Sequence, residues 1–134
     1  MPIRPTSSDP TTQLRLPGPT AAPGEPYWRK LELEATGYVA RTVQVDEPSL
    51  ARALDENEAA SLRSAYRRLR ALLPDTRLVL TAEPGAFSRE SVPLAVRLPV
   101  DALYLDIVAR PRLLAEALAL APAGLGLVLP EGAR

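Results

Sequence analysis

The chain has 134 residues, 46% hydrophobic and 24% charged, with sixteen Lys and Arg residues balancing sixteen Asp and Glu residues. This length allows one modest core, so we expect at most one folded domain. The formal net charge of zero argues against a protein built mainly to hold a nucleic-acid backbone or an anionic membrane. Because cysteine and histidine are absent, disulfides, thiolate or imidazole catalysis and the usual zinc and haem sites are excluded. Any metal would need an all-oxygen site.

The amino-terminal segment is rich in proline, serine and threonine. Seven of the fifteen prolines fall within residues 1–26, and such a composition does not support a packed core. We therefore predict a disordered tail over residues 1–13 and a folded unit over residues 14–134. No segment resembles a signal peptide, and no apolar run approaches about 18 residues. These features predict a cytoplasmic protein with no membrane partner.

Short apolar runs alternate with amphipathic stretches through the rest of the chain. The predicted strands are residues 14–17, 41–45, 77–81, 102–108 and 124–129, the first being the weakest. The predicted helices are residues 25–37, 55–74, 87–99 and 111–122. Strand, helix, strand repeated in this way predicts right-handed parallel units, as an open sheet or as part of a barrel.

The helix over residues 55–74 has the clearest pattern. Asp55 and Glu58 have the spacing of a capping box at its start, and Pro74 ends it. Its apolar residues recur on one stripe that should face the core. That stripe consists of Leu62, Ala65, Tyr66, Leu69, Leu72 and Leu73.

Polar residues follow the predicted strands at their carboxyl ends. In parallel α/β folds these ends lie together and hold ligands, so we interpret the residues there as a binding rim with no catalytic or metal-binding member. The candidate rim residues are Gln44, Asp46, Glu47, Glu83, Tyr104, Asp106 and Arg110.

Some of these residues also have a structural interpretation. Pro48 cannot donate to a strand ladder and ends the strand, and in the structural interpretation Asp46 and Glu47 are a capping acid and a loop acid at that strand end. Asp106 lies in the apolar run LYLDIV. A buried carboxylate there needs either an ion pair with Arg110 or a ligand.

A basic stripe on the helix over residues 55–74 raises the alternative of a nucleic-acid partner. Arg63, Arg67 and Arg70 share one face, which either binds phosphate or is a solvated surface. The chain has one Trp and one Phe, so little aromatic material is available for base stacking. We therefore predict no nucleic-acid partner.

Several segments resemble one enzyme family. VQVDEPSL at residues 43–50 resembles the V-Q-[IV]-D-E-P-A-L segment of cobalamin-independent methionine synthase, and RLPVDALYLDIVARPRLLAEAL at residues 97–118 resembles its L-P-V-D-G-L-H-L-D-L-V-R-A-P segment. LRLPGPT at residues 14–20 is similar to the family's L-x-G-P-[VT] strand end. LVLTAEPG at 78–85 and LGLVLPEGAR at 125–134 follow in the family's order more loosely.

The resemblance implies part of the family's amino-terminal (β/α)₈ barrel, the one without zinc. That family transfers a methyl group from 5-methyltetrahydrofolate polyglutamate to homocysteine, using zinc held by the other barrel. Gln44, Asp46 and Glu47 match the family's motif, whereas Tyr104 replaces a His and Ala82-Glu83-Pro84 replaces an aromatic-containing turn. We therefore expect no cofactor held by this chain alone and no methyl transfer by it, with 5-methyltetrahydrofolate polyglutamate as the candidate ligand.

The resemblance covers about five strands of an eight-stranded barrel. A partial barrel leaves two sheet edges to be covered. Three interpretations follow: a non-catalytic folate-binding module, a half-barrel that forms a homodimer or is completed by a partner chain, and a nonfunctional remnant. Uroporphyrinogen decarboxylase-like barrels are the second family that this sequence could be related to, although none of its motifs favours them.

Overall fold

This computed structural model of the protein describes residues 13–19 and 42–131. The predicted tail over residues 1–13 lies outside these ranges except for Gln13, which belongs to the first strand. The predicted helix over residues 25–37 lies outside them entirely.

Five parallel strands form one sheet in the order β1-β2-β3-β4-β5. They are β1 Gln13–Pro17, β2 Thr42–Asp46, β3 Arg77–Thr81, β4 Ala102–Tyr104 and β5 Gly126–Val128. Neighbours in the sheet are also neighbours in sequence, so each connection within residues 42–131 returns to the opposite end of the sheet before the next parallel strand begins. The predicted α/β class with four to five parallel strands is confirmed, and the arrangement is consistent with part of a (β/α)₈ barrel.

Within residues 42–131, three α-helices and one 3-10 turn lie between the strands. They are the turn Pro48–Ala51 and the helices α1 Glu56–Leu72, α2 Val92–Ala95 and α3 Leu113–Leu120. α1 begins as the sequence predicts, because Asp55 accepts from the backbone N–H of Glu58 at 2.8 Å and Glu58 accepts from that of Asp55 at 3.1 Å. Its apolar stripe is buried except for Leu72, which is 48% exposed.

Several predicted elements are shorter than expected, including β5, which spans Gly126–Val128 within the predicted residues 124–129, and α3, which spans Leu113–Leu120 within the predicted residues 111–122. Only Val92–Ala95 is helical within the predicted helix over residues 87–99, because the Ser91 hydroxyl bonds the carbonyls of Leu50 and Ser88 and turns flank the helix. Strand β4 stops at Tyr104 instead of residue 108. There the Asp106 carboxylate accepts the backbone N–H of Ala109 at 3.0 Å, which closes a turn.

The two faces of the sheet carry different side chains, since strand residues alternate. The register aligns Leu16, Val45, Leu80 and Leu103, which are at most 3% exposed and pack with Leu62, Tyr66 and Leu69 of α1 in one core. The other face, which we call the inner face, aligns Arg15, Gln44, Val79 and Ala102. Polar residues of β1 and β2 thus lie on the side of the sheet away from α1.

Arg70 fastens the end of α1 to the amino ends of the strands. Its guanidinium donates to the carbonyls of Pro99 at 3.0 Å and Thr76 at 2.9 Å, and to Asp101 at 2.7 Å. Asp101 also accepts the backbone N–H of Leu78 at 2.7 Å. Arg70 is therefore half-buried in a structural network, unlike the exposed Arg63 and Arg67 of the same stripe. None of the helices in the described ranges is both long and apolar enough to span a membrane.

Candidate binding site at the carboxyl ends of the strands

The end of β2 sends two adjacent acids to opposite sides of the sheet. Asp46 is the last strand residue and lies on the inner face, in register with Thr81 of β3. Pro48 then opens the 3-10 turn and ends the strand. Glu47 is only 1% exposed and accepts from the hydroxyls of Tyr66 and Ser49, each at 2.9 Å. Its carboxylate is therefore directed toward α1 and away from the inner face.

Gly18 makes the burial of Glu47 sterically feasible. The backbone N–H of Gly18 donates to the carbonyl of Asp46 at 2.6 Å, so β1 lies close against the end of β2. A Cβ at this position would lie 2.8 Å from that carbonyl oxygen and closer still to Oε1 of Glu47. Any side chain larger than hydrogen would displace the buried carboxylate.

Arg15 joins the ends of β2 and β3 across the inner face. Its Nε lies 2.6 Å from Oδ2 of Asp46, and its terminal nitrogen bonds Oε2 of Glu83. The hydrogen bond that Arg15 donates to Asp46 is the main cause of its raised pKa; the hydrogen bond to Glu83 and the charge of Glu83 add to it, and partial burial opposes it. Gln44 approaches the other oxygen of Asp46 at 3.5 Å. One guanidinium thus holds two carboxylates from different strands.

Glu83 is positioned by the turn that follows β3. Its backbone N–H donates to the hydroxyl of Thr81 at 3.1 Å, and Thr81 is 1% exposed. The peptide bond between Glu83 and Pro84 is cis. The side chain of Glu83 is 32% exposed, so it remains accessible from solvent while bonded to Arg15.

Tyr104 at the end of β4 lies in the same electrostatic environment. Its pKa is raised first by burial and then by the negative charges of Glu83 and Asp106, while the positive charge of Arg15 lowers it. The phenol therefore stays protonated at neutral pH and can donate or accept a hydrogen bond.

Two predicted rim residues are used elsewhere. Arg110 does not form an ion pair with the Asp106 side chain, which was one of the two interpretations of Asp106; it pairs with Glu116 of α3 at 2.6 Å and donates to the carbonyl of Phe87. Glu47 is buried against α1, as described above. The remaining predicted residues come together with Arg15, which sequence reasoning missed. We call them the mouth cluster, which consists of Arg15, Gln44, Asp46, Glu83, Tyr104 and Asp106.

The alternation of side chains along β1 and the register of its pairing with β2 are the features that could have identified Arg15 as a member of the site. Arg15 precedes the strand-end segment LPGP by one residue, and the two-residue strand period places it on the face opposite Leu16. Its pairing with Gln44 then brings it beside Asp46. The pairing of the two strands had to be known before this contact was predictable.

The mouth cluster offers hydrogen-bonding groups and charge. It has three carboxylates and one guanidinium, so it suits a ligand that carries N–H donors. Within the described ranges, no group of three or more acidic residues is arranged to hold a metal ion. Two surface grooves, of about 360 and 500 Å³, flank α1 and are lined by none of the mouth cluster.

Comparison with known proteins gives the family. The family model described as "Cobalamin-independent synthase, N-terminal domain" matches residues 28–128. The chain belongs to this family. The matched range contains every member of the mouth cluster except Arg15.

The curated relatives of this synthase-family chain share one printed name, 5-methyltetrahydropteroyltriglutamate–homocysteine methyltransferase. The protein from Caulobacter vibrioides is 47% identical over 77 residues, which cover 58% of this chain and 10% of the relative. The protein from Rhodopseudomonas palustris strain TIE-1 is 34% identical over 90 residues, covering 67% and 11%. The protein from Nitratidesulfovibrio vulgaris strain Miyazaki F is 35% identical over 124 residues, covering 81% and 16%. The chain thus spans between about a tenth and a sixth of the length of these relatives.

Proposed function

We propose that this chain is a non-catalytic module that binds a 5-methyltetrahydropteroyl-glutamate at the mouth cluster. The observation that supports the proposal is the pair of ion pairs from Arg15 to Asp46 and Glu83, which brings together polar groups of β1, β2 and the turn after β3 at one end of the sheet. The relatives' printed name includes 5-methyltetrahydropteroyltriglutamate. We therefore choose a folate as the ligand class for this site, because the printed name of the relatives includes one.

The chemistry of the mouth cluster favours the pteridine part of such a ligand. A reduced pteridine carries several N–H donors, and the oxygens of Asp46 and Glu83 accept such bonds strongly because they are ionised. The γ-linked glutamates carry only negative charge, which three carboxylates against one guanidinium repel. We therefore expect the glutamate tail to extend away from the cluster.

The absence of cysteine and histidine underlies the non-catalytic part of the proposal. Zinc-thiolate chemistry uses cysteine and histidine ligands, which would have to come from another polypeptide segment. The lack of cysteine also fits a reducing compartment, and we propose a cytoplasmic location.

Calorimetric titration of the full chain with 5-methyltetrahydropteroyltriglutamate tests the proposal. We expect saturable one-site binding that Asp46→Asn weakens at least tenfold, because it removes the charge that accepts ligand N–H groups and holds Arg15. Asp75→Asn is the matched control, since Asp75 is exposed in the turn before β3, at the other end of the sheet. A flat titration of the unmodified chain, or equal losses in the two variants, would overturn the proposal.

A further inference from the structure

Tyr104 lies on the inner face of the sheet at the same level as Asp46. Asp46 aligns with Thr81 at the end of β3. Two residues earlier on β3, Val79 aligns with Ala102 of β4. Since strand side chains repeat every two residues, Tyr104 shares the inner face with Ala102. The phenol thus extends from the end of β4 at the level where the carboxylate of Asp46 leaves β2.

The hydroxyl of Tyr104 is an unused hydrogen-bonding group. Among the residues that the structure describes, this hydroxyl makes no hydrogen bond, and every fully buried polar side-chain atom there has a partner. The hydroxyl is therefore reachable from solvent. After burial, the charge of Glu83 contributes most to the raised pKa of Tyr104, ahead of that of Asp106. Glu83 is thus the carboxylate that affects the phenol most strongly.

Glu83 also keeps unused hydrogen-bonding capacity beside Arg15. Arg15 bonds its Oε2, and within the described ranges the other oxygen, Oε1, makes no hydrogen bond. An ionised carboxylate has about four lone-pair sites, so both oxygens of Glu83 can still accept N–H groups. The side chain is 32% exposed, so a ligand can approach it from solvent. Glu83 and Tyr104 together offer an ionised acceptor and a neutral donor.

The 2-amino-4-oxopyrimidine edge of a pteridine has the complementary order of groups. The 2-amino group and N3 present two adjacent N–H donors, and the carbonyl oxygen at C4 is an acceptor beside them. A carboxylate accepts two parallel N–H groups, as it does from arginine, and a phenol hydroxyl donates to a carbonyl oxygen. This edge therefore matches one carboxylate with one hydroxyl next to it.

We propose that Glu83 and Tyr104 recognise this edge: the carboxylate of Glu83 accepts the 2-amino and N3 hydrogens, and the hydroxyl of Tyr104 donates to the C4 oxygen. The inference rests on the proposed function, because it takes the ligand to be a pteridine, and it adds the orientation of the ring and the two residues that select it. A ring without the 2-amino group leaves the Glu83 carboxylate without one of its donors, which lowers affinity.

Fluorescence titration of the full chain with pterin and with pteridine-2,4-dione tests this selectivity without any substitution. The dione carries an oxygen in place of the 2-amino group, so it presents an acceptor to the carboxylate of Glu83. We expect pterin to bind saturably at neutral pH and the dione to bind at least tenfold more weakly. Equal affinities for the two compounds, or no binding of pterin, would overturn the inference.

Two variants test the residues, with 5-methyltetrahydropteroyltriglutamate as the ligand. Tyr104→Phe removes the donor, and Glu83→Gln replaces one ionised oxygen with an N–H₂ group, so each should weaken binding at least tenfold. Tyr66→Phe is the matched control for the first variant, since its hydroxyl bonds Glu47 on the side that faces α1. Glu90→Gln is the control for the second, because Glu90 is exposed and lines a groove beside α1. Both controls should leave the affinity unchanged.

The outcomes separate this inference from the proposed function. If the unmodified chain binds the triglutamate and either Tyr104→Phe or Glu83→Gln binds it as tightly, the inference fails and the proposed function stands. Losses that are no larger than those of the matched controls would also overturn the inference. Flat titrations with both pterin and the triglutamate would overturn the inference and the proposed function together.

Discussion

Arg15 and Asp46 lie side by side on adjacent parallel strands, with Nε of the guanidinium 2.6 Å from Oδ2 of the carboxylate. They are 31 positions apart in the sequence and meet only because β1 and β2 pair. The same guanidinium bonds Glu83 beyond β3. The polar character of the inner face at this end of the sheet therefore depends on the register of three strands.

Replacing Arg15 by Met should separate the role of this residue in binding from its role in stability. The Arg15 side chain is 50% exposed, so loss of its ion pairs should lower the free energy of unfolding by no more than about 1 kcal/mol. The affinity for 5-methyltetrahydropteroyltriglutamate should fall several-fold, since Asp46 and Glu83 lose the group that orients them. Urea unfolding and calorimetry measure the two effects. Arg67→Met, at an exposed position on α1, should change neither.

The buried Glu47 predicts a stability effect at Tyr66. Tyr66→Phe removes the hydroxyl that donates to Glu47 at 2.9 Å, which leaves a buried carboxylate with one donor fewer. We expect the free energy of unfolding to fall by about 1–3 kcal/mol. Tyr104→Phe is the control. Tyr104 is only half-buried, so removal of its hydroxyl should lower the free energy of unfolding by about 0.5 kcal/mol or less. Equal losses for both variants would show that Glu47 does not depend on Tyr66.

Arg70 should stabilise the fold without any role in binding. Arg70→Met leaves the carbonyls of Pro99 and Thr76 without their guanidinium donor, so we expect a loss of about 1–2 kcal/mol in urea unfolding. Arg63→Met, on the exposed part of the same stripe, should stay within about 0.5 kcal/mol. A larger effect at Arg63 would contradict the assignment of Arg70 as the structural member of the stripe.

The contacts of Glu58 with Arg52 and with Asp55 of the capping box predict a dependence of stability on acid. The hydrogen bond from Arg52, followed by that from the Asp55 backbone, lowers the pKa of Glu58 from 4.5 to about 2. A lowered pKa in the folded state means that ionised Glu58 stabilises the protein above pH 4.5 and loses this effect as the pH falls toward about 2. Urea unfolding at a series of pH values should therefore show the unmodified chain losing its advantage over Glu58→Gln across that interval. A difference that stays constant down to pH 2 would contradict this origin.

Asp101 provides a second acid-sensitive contact. Burial raises its pKa, but the hydrogen bonds from Arg70 and from the Leu78 backbone outweigh burial, and the net pKa is lowered from 3.8. Its stabilising effect is thus present above pH 3.8 and declines below it. Asp101→Asn should lower stability at neutral pH, and the difference from the unmodified chain should shrink in acid.

Local signals explain which parts of the fold were predictable. α1 followed from sequence because Asp55, Glu58 and the apolar stripe act within one helix. The predicted helix over residues 87–99 was too long, since the sequence pattern did not reveal that Ser91 bonds the distant carbonyl of Leu50. Predicted strand boundaries differed by one to four residues where turns such as that of Asp106 compete with pairing.

The sequence predicted the location of the site better than it predicted which residues form it. Parallel strands bring their carboxyl ends together, so Asp46, Glu83 and Tyr104 could be grouped from sequence. Glu47 is adjacent to Asp46, and the alternation of strand side chains sends it to the other face, where Tyr66 and Ser49 bind it. The partner of Arg110 is Glu116 on the following helix, a choice set by packing and not by the spacing of residues.

Mapping backbone amide chemical shifts during addition of 5-methyltetrahydropteroyltriglutamate tests the central claim most directly. We predict concentration-dependent shifts at Gln44, Asp46, Glu83 and Tyr104, with none at Asp75 or along α1. Shifts confined to the grooves beside α1, or no shifts at any ligand concentration, would contradict the assignment of the mouth cluster as a folate site.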